Sequence, residues 1–145
     1  MLDRSLIGRE SDPVLVEVER GAIRRLADAL GDANPLYVDE AAARAAGYPA
    51  PIAPPTFPVV LSVNERFRHS LDLGTRSLLV GEVSVDYGRP VVAGDRLTVK
   101  SRVADVQERT GTSGSSDVLV VETDGRAADG QLVFRVRETF ILRRG

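Results

Sequence analysis

The sequence predicts an α+β domain in which one antiparallel sheet of about five strands carries helices on one side. Three observations point there. Apolar residues recur at helical spacing only in the first half of the chain, while a period of two appears over Leu79 to Tyr87 and, less cleanly, over Leu97 to Ala104, with further strand material up to Leu142. Turn-forming pairs rich in Gly and Asp separate the alternating runs. The length of 145 residues suits one domain, spanning 1–145, with a core of useful size.

The elements follow in order. Val14 to Glu19 is a short β-branched stretch, of which Val14 to Val18 supplies the fifth strand. Within Arg20 to Leu30, residues Ile23, Leu26, Ala27 and Leu30 mark an amphipathic helix, stopped by Gly31 and barred from continuing by Pro35. Asp39 reads as the N-cap of a second helix over Glu40 to Ala46, ended by Gly47. Five prolines between Tyr48 and Pro58 exclude regular hydrogen bonding in a segment apolar enough to be packed. Pro58 suits the first position of a third helix, whose residues Val59, Val60, Leu61, Val63 and Phe67 are apolar nearly all round, so burial on most sides is expected.

Strands follow. Val83, Val85 and Tyr87 alternate with polar residues over Leu79 to Tyr87, and Leu97, Val99, Ser101 and Val103 alternate after the turn Ala93-Gly94-Asp95. Gly111 to Ser116 reads as a flexible loop. Val118 to Thr123 and Leu132 to Leu142 read as the last strands, arranged around the turn signals Asp124-Gly125 and Asp129-Gly130, with Leu132, Phe134, Val136 and Phe140 on one face. Sheet edges and an all-apolar helix both need cover, which predicts a dimer.

Composition excludes several function classes. A net charge of −2 gives no electrostatic footprint for nucleic acid or an anionic membrane. The absence of cysteine removes disulfides, thiolate metal sites and a Cys nucleophile, and one histidine with scattered carboxylates offers no metal centre. No cofactor is expected. The first ten residues lack the apolar core of a signal peptide and no apolar run reaches membrane-spanning length, so the expected location is the cytoplasm.

Chemistry-bearing residues concentrate in Gly31-Asp32-Ala33-Asn34-Pro35-Leu36-Tyr37-Val38-Asp39. Each is an ordinary residue for a helix stop or turn, and spacing alone favours that reading. The order of residues, however, resembles the Gly-Asp-x-Asn-Pro-[Leu/Ile]-His-x-Asp signature of MaoC-like, or hydratase 2, proteins, and departs from it only at Tyr37. Ala46-Gly47-Tyr48, Ile52 to Phe57 and Tyr87 to Asp95 continue the resemblance, which covers nearly the whole chain.

That resemblance implies a hot-dog fold, a curved antiparallel sheet wrapped around a central apolar helix, with the nonamer as an irregular overhang. It also implies a dimer and, as substrate, an acyl thioester of coenzyme A or of acyl carrier protein. In the family the Asp and His activate a water that adds to a trans-2-enoyl thioester, or leaves from the 3-hydroxyacyl form. Asp32, Asn34 and Tyr37 hold the matching positions here, and Tyr48, Pro54, Thr56, Phe57 and Val60 are the candidates for substrate binding. Histidine, with an unperturbed pKa of about 6.5, takes a proton from water near neutrality. Tyrosine titrates near 10, so a phenolate at neutral pH costs roughly 4 kcal/mol, and no cation adjacent in sequence offsets it.

A second departure lies at Pro54 and Pro55, where catalytic relatives often carry His-Gly with an oxyanion-binding N–H. Proline has none, which moves that role to Thr56 or Phe57, or removes it. Asn34 either serves the reaction or closes a turn before Pro35. His69 is more simply a surface residue at a helix end than a replacement base, and Arg89 more simply pins a strand end than meets a carrier phosphate.

The leading reading is a subunit of an (R)-specific enoyl-thioester hydratase or 3-hydroxyacyl-thioester dehydratase of fatty-acid metabolism. It binds the acyl chain while a paralogous hot-dog partner supplies the Asp/His pair. Three alternatives stand beside it: a homodimeric acyl-thioester binding protein without catalysis, a hot-dog thioesterase using Glu65, and an active homodimer in which Asp32 and Tyr37 take altered roles.

Overall fold

Strand β1 (Val14–Glu17) leads into helix α1 (Arg20–Leu30), at the residues the spacing predicts. In the computed structural model, which describes residues 1–62, 65–74, 77–111 and 114–143, three more helices follow: α2 (Glu40–Ala45), α3 (Phe57–Ser62) and α4 (Glu65–Ser70). Four long strands complete the chain, β2 (Ser77–Tyr87), β3 (Arg96–Gly111), β4 (Gly114–Arg126) and β5 (Leu132–Arg143). They form one antiparallel sheet in the order β1-β3-β4-β5-β2, so β1 and β2 are its edges.

Alternation decides which face of the sheet meets the helices. Leu97, Val99, Ser101 and Val103 of β3 are buried, as are Leu119, Val121 and Thr123 of β4 and Phe134, Val136 and Leu142 of β5. Helix α1 closes over one end through Ile23 and Ala27, joined there by Tyr37, Ala53 and Phe57. Helix α4 closes over the other end through Phe67, with Leu2, Leu6 and Leu71. The opposite face is charged. Glu122 accepts from Arg102 at 2.8 Å and Arg137 at 2.6 Å, and Asp124 holds Arg135 through two contacts of 2.7 and 2.8 Å.

Several expectations need correction. The third helix starts at Phe57, one residue before Pro58, and Val63 lies outside the described residues. Burial is confined to Phe57, Pro58 and Ser62 of α3 and Phe67 of α4, while Val60 is 56% exposed. The sheet covers one side of this helical layer, and among the described residues nothing covers Val60 on the other. The same reason accounts for β2, whose alternating Val83 and Tyr87 stand exposed on an edge strand. Gly111 to Ser116 is mostly strand, with Thr110 opposite Ser115 and Gly111 opposite Gly114; Thr112 and Ser113 lie outside the described residues. Asp124-Gly125 is interior to β4, and the turn falls at Ala127 to Gly130. The proline segment does carry regular pairing at Ile52, which bridges Val92. Ala53 N–H donates to Val91 and Ala93 N–H to Pro51, both at 2.8 Å. Ile52 and Ala53 have the N–H groups that their proline neighbours lack.

Candidate functional site

The overhang is built by successive caps. Gly31 ends α1 in the left-handed conformation, φ 66°, where its N–H meets the Ala27 and Asp28 carbonyls, and the Asp32 N–H also returns to Ala27 at 3.0 Å. Asp32 Oδ1 then accepts the Asn34 N–H at 3.2 Å, and Asn34 Oδ1 accepts the Leu36 N–H at 3.0 Å. That second bond caps a single 3₁₀ turn, Pro35–Tyr37, with proline at the position where its missing N–H costs nothing. Asn34 therefore has a turn-closing role, and the turn drives Tyr37 into the core. Asp39 restarts the helix by accepting the Ala41 and Ala42 N–H groups.

Asp32, Asn34 and Tyr37 come together as the motif predicts. Tyr37 is buried beside Ile23, Ala53 and Phe57, and Asp32 remains exposed. Burial raises the Tyr37 pKa above its ordinary value of 10.0, and the Asp32 carboxylate raises it further by charge and as a hydrogen-bond acceptor. The Asn34 side chain works the other way but does not prevail. Tyr37 is thus a neutral phenol that can donate a hydrogen bond and cannot take a proton from water near neutral pH.

Tyr37 forms one wall of a cavity of about 430 Å³, with Ile52, Ala53, Tyr87 and Arg89 among the other walls. The Tyr87 hydroxyl donates to the Pro55 carbonyl at 2.6 Å, tying the edge strand to the proline segment. Partial burial and the neighbouring Tyr37 phenol push its pKa up to about 12. Arg89 is committed elsewhere: its two terminal nitrogens donate to Asp95 at 2.8 and 2.9 Å, and Asp95 also takes the Val92 N–H at 2.9 Å. This fork pins the β2–β3 connection.

The candidate binding residues scatter. Phe57 packs with Tyr37 in the core. Pro54 is buried, and its carbonyl takes the Phe57 N–H at 2.9 Å, while Thr56 is exposed just before α3. Val60 faces outward on a shallow apolar patch with Val14, Val16 and Leu61. Tyr48 is half-buried at the end of α2, donating its N–H to Ala43 at 3.0 Å. None of these five side chains forms a wall of the cavity beside Tyr37; Ile52, Ala53 and Tyr87 do. Helical or strand periodicity could not single those three out, because they meet through the Ile52–Val92 bridge between distant segments. His69 and Glu65 are exposed on α4, over the other end of the core.

The sequence model described as FAS1-like, dehydratase domain region, matches residues 5–136. A UPF0336 protein of Saccharopolyspora erythraea is 38% identical over 98% of this chain and 92% of its own length. Among solved structures, a chain of the C-terminally truncated HadBC (3R-hydroxyacyl-ACP dehydratase) complex of Mycobacterium tuberculosis superposes with a TM-score of 0.81. That chain is 28% identical, over 94% of this chain and 96% of its own. A MaoC-like dehydratase superposes with a TM-score of 0.85 at 26% identity, covering 95% of this chain and 42% of that longer one. The capped Asp-x-Asn-Pro overhang, the five-stranded order and these likenesses agree: the chain belongs to the FAS1-like dehydratase family and has the hot-dog fold of MaoC-like dehydratases.

Proposed function

We propose that this chain is the acyl-binding, non-catalytic subunit of an (R)-specific enoyl-thioester hydratase or 3-hydroxyacyl-thioester dehydratase of fatty-acid metabolism. It works in the cytoplasm on an acyl thioester of coenzyme A or acyl carrier protein, and pairs with a paralogous hot-dog subunit that supplies an intact Asp/His pair. The observation that carries this reading is Tyr37: the overhang keeps its frame, yet its base position holds a phenol that burial and Asp32 keep protonated. The similarity to a chain of a 3R-hydroxyacyl-ACP dehydratase complex supports the pairing. So do the uncovered outer side of α3 and the exposed edge strand β2.

A homodimeric acyl-thioester binding protein uses the same geometry and differs only in needing no paralogue. The thioesterase reading is weaker, because the Glu65 side chain is 70% exposed and lies outside the walls of the Tyr37 cavity.

The test is hydration of a short trans-2-enoyl thioester by the purified chain, alone and co-expressed with a paralogue bearing the intact motif, with native mass recorded. The expected result is turnover only in the mixed complex. Turnover by the chain alone would overturn the reading, and thioester binding by a stable homodimer that never joins the paralogue would favour the binding-protein alternative. Tyr37→His in the isolated chain tests whether the remaining geometry can support a base.

A further inference from the structure

Among the described strands β2 pairs only with β5, which leaves an edge of eleven residues open. A monomer guards such an edge by keeping it short or by placing lysine, proline or a bulge on it. The opposite edge, β1, is four residues long. Strand β2 has neither lysine nor proline, and a register shift between Val80 and Glu82 is its one irregularity. It exposes Leu79, Val80, Val83 and Tyr87.

Pairing with β5 fixes which way each side chain of β2 points. Val136, Glu138 and Leu142 of β5 are buried under the helical layer, so their partners Val85, Val83 and Leu78 face inward. Glu82, Ser84 and Asp86, opposite Thr139, Arg137 and Arg135, face outward. Glu82 and Asp86 are the only charged residues of the strand, and both are exposed. The cations beside them are already engaged: Arg135 holds Asp124 at 2.7 Å, and Arg137 holds Glu122 at 2.6 Å. Neither Glu82 nor Asp86 makes an ion pair among the described residues.

Two copies of this chain joined antiparallel through β2 would be related by a two-fold axis perpendicular to the sheet, so their outward faces would be continuous. Glu82 and Asp86 are separated by a single outward position, Ser84. In each register that pairs more than half of the strand, an acid of one copy therefore meets an acid of the other, directly opposite at about 5 Å or diagonally at about 7–8 Å. The symmetry repeats every off-axis contact. No slip within that range separates the acids, and no cation on the strand offsets them. A strand with lysine or arginine at the facing positions turns the same contacts into attractions.

We propose that β2 selects its partner by charge: the outward acids Glu82 and Asp86 oppose pairing with a second copy of this chain and favour a hot-dog subunit whose own edge strand carries lysine or arginine on that face. Naming the partner as a paralogous subunit rests on the function proposed above, whereas the charge rule does not.

The test is a charge swap within this chain. Glu82→Lys/Asp86→Lys puts two cations where the wild type has two anions, at exposed positions that the fold does not use. Native mass is followed for the wild type, the lysine variant and their mixture, with one chain tagged. The mixed dimer should form about tenfold more tightly than either chain pairs with itself, since like-charge contacts are exchanged for attractions. High salt should shrink that preference. The uncharged Glu82→Gln/Asp86→Asn should pair with itself more tightly than the wild type does. A wild-type homodimer as tight as the mixed one, or an uncharged variant no tighter than the wild type, overturns the charge rule. Partner identity is tested by co-expression with the paralogue bearing the intact Asp/His motif, which should capture the wild type about tenfold better than the lysine variant. Equal capture of both overturns the basic partner edge and leaves subunit pairing standing. A charge swap that works while the paralogue captures neither chain overturns the function proposed above and leaves the charge rule standing.

Discussion

Gly125 and Phe134 are cross-strand partners, and a Cβ placed on Gly125 would stand 2.3 Å from the Phe134 ring. The Asp124-Gly125 pair looks like a turn in the sequence, yet its glycine serves as the gap that lets a fully buried phenylalanine lie flat across the sheet. Gly125→Ala should therefore destabilise the fold by about 1–3 kcal/mol, the usual cost of overpacking. In urea unfolding, the double variant with Phe134→Leu should cost less than the sum of the two single changes, because the smaller side chain relieves the clash.

Tyr37 and Tyr87 should both ionise late. Burial raises both; the Asp32 carboxylate adds to the rise at Tyr37, and the Tyr37 charge adds to that at Tyr87, which is pushed up to about 12. A titration of phenolate absorbance should show Tyr37 ionising above its ordinary range, and Tyr37→Phe should remove that late step and move the Tyr87 step downward, because the charge opposing it is gone. A phenolate appearing near neutrality in wild type and missing from Tyr37→Phe would make Tyr37 a competent base and remove the main support for a non-catalytic subunit.

Glu138 predicts a pH dependence of stability with a definite sign. Its folded pKa lies above the ordinary 4.5, so its contribution is fully present below that value and is lost as pH rises through the folded pKa. The hydrogen bond from the Ser62 hydroxyl and, after it, the charge of Arg68 oppose the shift only in part. Glu138→Gln has nothing to ionise. Chemical denaturation from pH 4 to 8 should show the variant gaining on wild type as pH rises; the reverse trend would mean that Glu138 is held as a carboxylate.

Asp124 predicts the opposite slope. Hydrogen bonds from Arg135 hold its pKa below 3.8, so its contribution is present above that value and is lost as pH falls through the lower folded pKa. Asp124→Asn should cost about 0.5–1 kcal/mol at neutral pH, the range for a partly exposed ion pair, and the loss should shrink in high salt.

Legibility followed the range of the interaction. Helix α1 was readable to its ends, because Ile23, Ala27 and Gly31 encode the buried stripe and the cap locally. The Asp39 cap and the inward set Leu97, Val99, Ser101 and Val103 were readable for the same reason. The overhang was readable as a motif, and its turn follows from Asn34 and Pro35. The cavity walls were not, since Tyr37, Ile52 and Tyr87 are brought together by pairings between segments far apart in the chain. Glu138 was hidden differently: an inward position within an apolar alternation was visible, but a carboxyl there gives no sign of its partner until Ser62 arrives from α3.

The strand order has a consequence for synthesis. Among the described strands β2 hydrogen-bonds only to β5, which begins some forty-five residues after β2 ends, and β5 also completes the pairing of β4. A chain emerging from the ribosome can close the β3–β4 hairpin early, but β2 waits with both edges open until residues beyond Leu132 are free of the exit tunnel. Throughout that interval Leu79, Val80 and Val83 are available to any other strand with an unfilled edge. Recruitment of a companion chain while translation is still under way would shorten that exposure.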